Sequence, residues 1–95
     1  MEQRKEYIKK LEENITEYNK KLAEIKTKAN GIKADMKADY LSQVDNIEKK
    51  RDAFVLKCGQ LKEANELAWD DKKGGTEKAQ NELEHTFGRV VTRFR

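Results

Sequence analysis

The side chains of this sequence that could carry out chemistry are few and isolated. The chain contains one cysteine, Cys58, and one histidine, His85, and no other cysteine or histidine lies at a metal-ligand spacing from them. A zinc site needs three or four such ligands, and a cysteine nucleophile needs a base beside it. Cys58 instead falls on an apolar helical stripe, which favours a small core side chain over a reactive thiol.

The carboxylates give no sign of a catalytic site either. Asp70 and Asp71 form one pair, and Glu82 and Glu84 form a second, but nothing in the sequence indicates a pocket around them. No serine–histidine–aspartate or cysteine–histidine arrangement is present, and no glycine-rich phosphate loop. We therefore predict a protein that is not an enzyme and that uses no cofactor, metal ion or small-molecule substrate.

The basic C-terminus is the one stretch with a functional interpretation of its own. The last ten residues contain three arginines and no acid. Arginines beside aromatic side chains can contact an anionic membrane surface or a nucleic acid. The simpler explanation is that cations near the end of a helix stabilise it through the helix dipole. The candidate surface contacts are Phe87, Arg89, Arg93, Phe94 and Arg95.

The chain as a whole is small and highly charged. Its 95 residues are 36% hydrophobic and 41% charged, which allows one domain at most and no large globular core. The net charge of +3 is too small to indicate a nucleic-acid partner by itself. No apolar run approaches the roughly 20 residues of a membrane-spanning helix. The single cysteine and the absence of a secretion signal in the first residues predict a cytoplasmic location.

An apolar stripe organises the chain. From Ile8 to Met36 apolar side chains recur at gaps of three and four, the a/d pattern of a heptad repeat. After a stutter between Met36 and Tyr40 the stripe resumes and continues to Ala68. Because such a stripe must be buried against a partner helix, we predict that it drives self-association. The predicted seam consists of Ile8, Leu11, Ile15, Tyr18, Leu22, Ile25, Ile32, Met36, Val44, Ile47, Phe54 and Leu61.

The apolar face is wider in the second half of the stripe. Leu41, Val55 and Trp69 lie beside it, each at the position after a d residue. A wider apolar face is typical of a helix that packs against one more helix. We expect that helix to be the amphipathic C-terminal segment.

Two residue pairs are candidate turns. Gly74-Gly75 is the firmest helix breaker, and Thr76 could cap a new helix after it. Asn30-Gly31 is ambiguous, because the heptad register continues through it. The predicted fold is all-α: a long coiled-coil helix over 1–73, a turn at 74–75 and an amphipathic helix over 76–95 that folds back as a helical hairpin. The alternative is a three-helix antiparallel bundle that also turns at Asn30-Gly31.

Several segments carry a resemblance that extends over most of the chain. They are Glu6-Tyr7-Ile8-Lys9-Lys10-Leu11, Lys33-Ala34-Asp35-Met36-Lys37-Ala38 with Tyr40, Lys50-Arg51-Asp52-Ala53, Leu61-Lys62-Glu63-Ala64, Ala68-Trp69 and Arg93-Phe94. In these the chain resembles a family of small bacterial coiled-coil proteins, some of which are labelled stress-response proteins. The resemblance implies a soluble helical protein with a stress association, and it supplies no catalytic residues.

The predicted function is therefore that of a structural or interaction protein. We expect a homo-oligomer that forms through the coiled-coil seam, with a further protein as a second kind of partner. The alternative is a peripheral adaptor whose basic amphipathic C-terminus contacts an anionic membrane or a nucleic acid.

Overall fold

The computed structural model describes residues 2–94, which form three α-helices joined by two short turns. Helix α1 is Glu2–Lys28 and is followed by a 3₁₀ turn over Ala29–Gly31, helix α2 is Ala34–Glu63, and helix α3 is Glu66–Arg93. The described part of the chain contains no strand. The all-α fold class is confirmed.

Ion pairs between the helices give their directions. Glu12 of α1 bonds Lys62 of α2, and Lys26, near the other end of α1, bonds Glu48, so α1 and α2 are antiparallel. Thr76 of α3 donates a hydrogen bond to the Lys57 carbonyl of α2, and Glu82, further along α3, bonds Lys50, so α2 and α3 are antiparallel as well. The result is an up-down-up bundle that measures 51 × 18 × 18 Å, in which α1 and α3 run parallel.

The first turn lies where the alternative fold placed it. The 3₁₀ turn at Ala29–Gly31 leads into Ile32 and Lys33, whose backbones are extended at ψ 137° and 144°. The predicted single helix over 1–73 is therefore wrong, and the three-helix bundle that turns at Asn30-Gly31 is right about this turn. The heptad register predicted a continuous helix because the apolar spacing continues through Asn30-Gly31. In the structure the chain reverses there, and Met36 and Tyr40 continue the apolar stripe on α2.

The second turn lies at Ala64-Asn65, not at Gly74-Gly75. Ala64 is extended at φ −68°, ψ 137°, and the Asn65 side chain accepts a hydrogen bond from the Ala68 N–H at 2.9 Å, which caps α3. Gly74-Gly75 lies inside α3, so the predicted turn at 74–75 and the helix start at 76 are wrong. Thr76 caps nothing, because its hydroxyl donates back to the Lys72 carbonyl at 2.9 Å within the same helix.

The core lies along the bundle axis and combines one stripe from each helix. At its centre the Tyr18 ring packs against Phe54 of α2 at 5.7 Å and against Phe87 of α3 at 5.9 Å between ring centroids. Near one end Tyr40 packs edge-on against Phe94 at 4.9 Å. The buried apolar residues are Leu11, Tyr18, Leu22, Ala29, Tyr40, Val44, Ile47, Phe54, Cys58, Leu61, Leu83, Phe87, Val90 and Phe94.

Candidate functional site

Of the twelve predicted seam residues, Met36 is 39% exposed, and the other eleven are buried or half-buried within one chain. Seven of the eleven are core residues of the bundle: Leu11, Tyr18, Leu22, Val44, Ile47, Phe54 and Leu61. Four more are half-buried and pack against that core: Ile8, Ile15, Ile25 and Ile32. The partner that the heptad pattern requires is thus supplied by the chain's own helices. Self-association stays a prediction, and any surface for it must lie outside this core.

An apolar strip remains on the side of the bundle where α1 meets α2. Val55 is 40% exposed and lines a groove with the half-buried side chains of Ile8 and Ile15. Leu41, two heptads before Val55 on the same side of α2, is 48% exposed. We call Ile8, Ile15, Leu41 and Val55 the outer strip. The sequence predicted a helix over Leu41 and Val55, but α3 packs on the opposite side of α2 and leaves them uncovered.

Polar bridges cross the α1–α2 groove beside the outer strip. Glu12 and Lys62 form an ion pair at 3.1 Å. One heptad further along α1, Asn19 accepts a hydrogen bond from Arg51 at 3.1 Å. These exposed bridges add little stability, since surface ion pairs contribute about 0–1 kcal/mol. Their effect is to place charges of both signs along the rim of an apolar surface.

A cluster of cationic and aromatic side chains joins the first turns of α1 to α3. The Arg4 guanidinium lies 4.2 Å from the centre of the Trp69 ring and donates to the Ala64 carbonyl at 2.7 Å. Tyr7 packs edge-on against Trp69 at 6.1 Å and donates to Glu77 at 3.3 Å. Burial and the adjacent Glu77 carboxylate raise the pKa of Tyr7 to about 12.

No feature of the sequence predicted this cluster. Arg4 and Tyr7 precede Trp69 by 65 and 62 residues, and no periodicity relates them to it. The cluster fixes the α2–α3 turn against α1, because the Arg4 hydrogen bond closes on the backbone of the turn itself. Trp69 therefore packs against α1, and not against the part of α3 that contains Leu83 and Phe87.

Cys58 is a core side chain, as its place on the stripe predicted. It is buried among the apolar residues of the bundle and forms no disulfide. Burial raises the pKa of the Cys58 thiol to about 11, so the thiol stays protonated at neutral pH. A protonated buried thiol is a poor nucleophile.

His85 and the carboxylate pairs lie on the exposed surface of α3. The side chains of His85, Asp70, Asp71, Glu82 and Glu84 are exposed, and Glu82 is engaged by Lys50. Within residues 2–94 no three side chains of histidine, cysteine, aspartate or glutamate are grouped so that they could hold a metal ion.

The fold buries the aromatic residues of the predicted C-terminal contact surface and leaves its described arginines exposed. Phe87 and Phe94 are buried, so the prediction that they lie on a contact surface is wrong. Their rings are occupied by Tyr18 and Tyr40 in the core. Arg93 pairs with Asp39 at 2.6 Å, and Arg89 stays exposed. Arg95 lies outside the described residues.

Comparisons with known proteins identify no relative. No protein-family model, no curated protein and no solved structure matches the chain. Separately, no helix within residues 2–94 is long and apolar enough to cross a membrane.

Proposed function

We propose that the protein is a non-enzymatic interaction protein whose α1–α2 side pairs with a second copy of the chain. The observation that supports the proposal is the outer strip, in which Leu41 and Val55 are 48% and 40% exposed and Ile8 and Ile15 are half-buried. The buried and protonated Cys58 and the exposed carboxylates favour a role that involves binding and not catalysis.

The size of this side agrees with a dimer interface. A side of the bundle measures 51 by 18 Å, comparable with the roughly 800 Å² that each partner contributes to a stable interface. A two-fold dimer uses the same patch on both copies, so the patch must be complementary to itself. The Glu12–Lys62 and Lys26–Glu48 pairs supply both signs of charge at its rim. In this dimer four helices would enclose the outer strips.

The mass in solution tests the proposal. Wild-type protein should have twice the chain mass of 11.1 kDa in light scattering after gel filtration. Replacing both Leu41 and Val55 by lysine should return it to the monomer mass, because four lysines would be buried at the dimer interface. Leu67→Lys is the matched control, since Leu67 is 96% exposed near the α2–α3 turn and lies off this side. A wild-type protein that stays monomeric at high concentration would contradict the proposal.

We propose a stress association on the resemblance of segments such as Ala68-Trp69 and Arg93-Phe94, and a cytoplasmic location on the single cysteine. The stress association is checked by measuring how well a bacterial strain that lacks the gene survives osmotic, thermal and oxidative challenge. Cell fractionation checks the location.

A further inference from the structure

The three helices bring separate basic segments together at one end of the bundle. At this end α1 stops, α2 starts and α3 stops. Tyr40 near the start of α2 donates a hydrogen bond to the Ile25 carbonyl of α1 at 2.7 Å and packs against Phe94 of α3. We call the region formed by residues 21–43 and 85–94 the basic end.

The net positive charge of the basic end is larger than that of the whole chain. Residues 21–43 and 85–94 contain seven lysines and arginines and three acids, a surplus of four, whereas the chain's net charge is +3. Two of the seven are engaged, because Lys26 pairs with Glu48 and Arg93 pairs with Asp39. At the end itself, Lys28, Lys33, Lys37 and Arg89 are exposed and form no ion pair with any described residue.

Helix stability does not account for all of these cations. Lys28 lies in the last turn of α1, where a cation suits the helix dipole. Lys33 and Lys37 lie at the opposite kind of position, at and just after the start of α2, where the dipole favours an acid. Lys33 occupies the N-cap and makes no capping hydrogen bond with its side chain. The helix dipole and helix capping therefore give no reason for a lysine at positions 33 and 37.

Apolar side chains project at the same end. Met36 is 39% exposed although it lies on the core stripe of α2, one turn before Tyr40, because the core ends there. Ile32 lies in the turn and is half-buried. Lysines that surround exposed aliphatic side chains are typical of surfaces that adsorb to anionic lipid headgroups.

We propose that the basic end binds the surface of a lipid bilayer that contains anionic phospholipids. Lys28, Lys33, Lys37 and Arg89 contact the headgroups, Ile32 and Met36 enter the headgroup region, and the bundle stands end-on. A single-stranded nucleic acid fits this end less well, because base stacking needs exposed aromatic rings. The aromatic rings here, Tyr40, Phe87 and Phe94, are buried. The proposal does not rest on self-association, although Leu41 of the outer strip also lies within residues 21–43.

Vesicle flotation tests the proposal with the full-length chain. Wild-type protein should float with vesicles of phosphatidylcholine and phosphatidylglycerol and not with vesicles of phosphatidylcholine alone. Lys33→Gln with Lys37→Gln should lower the partition coefficient by about 30-fold, since each lysine near an anionic surface contributes about fivefold. Met36→Ser leaves the charge unchanged and should lower it by about fivefold to tenfold.

A matched control removes the same charge from the other end. Lys9→Gln with Lys72→Gln replaces two exposed lysines near the α2–α3 turn and should leave the partition coefficient within about twofold of wild type. Circular dichroism melting of each variant checks that the bundle is intact. Lys33→Gln with Lys37→Gln should melt no lower than wild type, because these lysines oppose the α2 dipole.

Three results would overturn the proposal. The first is absence of flotation of the wild type with phosphatidylglycerol vesicles, and the second is equal flotation with neutral vesicles. The third is an equal loss of binding in the Lys9 and Lys72 control, which would show that net charge alone acts. Binding to a DNA or RNA oligonucleotide that needs Lys33 and Lys37 but not Met36, without flotation, would assign the basic end to nucleic acid instead.

Discussion

The chain turns at Ala64-Asn65, which contains no glycine, and stays helical through Gly74-Gly75, which contains two. At the first pair the backbone is extended and Asn65 caps the following helix. At the second pair α3 continues without a break, although each glycine in a helix interior costs about 0.5–1 kcal/mol relative to alanine. Local propensity therefore points to the wrong pair.

Burial explains the difference. A turn at Ala64-Asn65 lets α3 run back along α2 from its first residue, so that Leu83, Phe87 and Val90 reach the core. Burying these three side chains contributes about 4.5–9 kcal/mol, more than the roughly 1–2 kcal/mol that the two glycines together cost. A turn at Gly74-Gly75 would leave the first turns of α3 without a helix to pack on. Tertiary packing decides where the helices of this protein end.

Truncating a core side chain of α3 should change the free energy of unfolding more than any other substitution proposed for the two pairs. Leu83→Ala should lower the free energy of unfolding by about 2–5 kcal/mol, because Leu83 is fully buried beyond the two glycines. Leu67→Ala, on the same helix but 96% exposed, should change it by less than about 0.5 kcal/mol. Urea unfolding followed by circular dichroism measures both. Equal effects of the two would show that α3 does not pack on α2 as described.

Alkaline pH should weaken the packing of the last turns of α2, where Cys58 lies. The thiol's pKa is about 11 in the bundle and 9 when unperturbed, so the unfolded chain loses this proton first. The stability supplied by the protonated thiol is complete below about pH 9 and falls as the pH rises toward 11. The loss should reach about 2 kcal/mol by about pH 10.5.

Cys58→Ala isolates this contribution from that of the other alkaline groups. The variant should start less stable and should lose less stability than wild type between pH 8 and 10.5, as measured by urea unfolding at each pH. Parallel pH profiles for the two proteins would mean that the thiol is not buried in the folded state.

Restoring helix propensity at the two glycines should stabilise the protein. A Cβ at Gly74 or Gly75 meets no atom within 4 Å, and neither residue has a positive φ. Gly74→Ala with Gly75→Ala should therefore raise the free energy of unfolding by about 1–2 kcal/mol. Thermal melting detects this as a higher midpoint. A lower midpoint would indicate that the chain turns at Gly74-Gly75 and is not helical there.

Removing the helix cap at Asn65 should destabilise the protein, by as much as or less than the glycine substitutions stabilise it. Asn65→Ala loses the hydrogen bond to the Ala68 N–H and should destabilise by about 1 kcal/mol. Asn65→Asp keeps an acceptor oxygen at the helix start and should stay close to wild type. Equal destabilisation by both substitutions would mean that the side-chain cap does not hold the turn.

The sequence predicted the buried positions better than the turns. Heptad spacing identified Leu11, Leu22, Ile47 and Phe54 as core residues, because the same side must be apolar whichever helix covers it. It could not distinguish a partner chain from the chain's own next helix. The register also runs unbroken into Asn65, so a polar seam residue and a helix cap look alike in the sequence.

The candidate surfaces were less predictable than the core. Arginines beside Phe87 and Phe94 indicated a contact surface, yet burial of both rings leaves the cations without the aromatic side chains that the sequence placed beside them. The basic end arises only because the turn at residues 29–31 and the end of α3 meet in the fold. That juxtaposition depends on helix directions, which spacing along the chain does not contain.

Small-angle X-ray scattering tests most directly the claim that the chain is a three-helix bundle. The bundle has a Cα radius of gyration of 15.5 Å and a length of 51 Å. A continuous helix over residues 1–73 would extend to about 110 Å at ~1.5 Å per residue. Side-by-side dimerisation through the outer strip would widen the particle and leave it far shorter than that. A maximum dimension near 55–65 Å at all concentrations is expected, and one that exceeds about 100 Å in dilute solution would contradict the bundle.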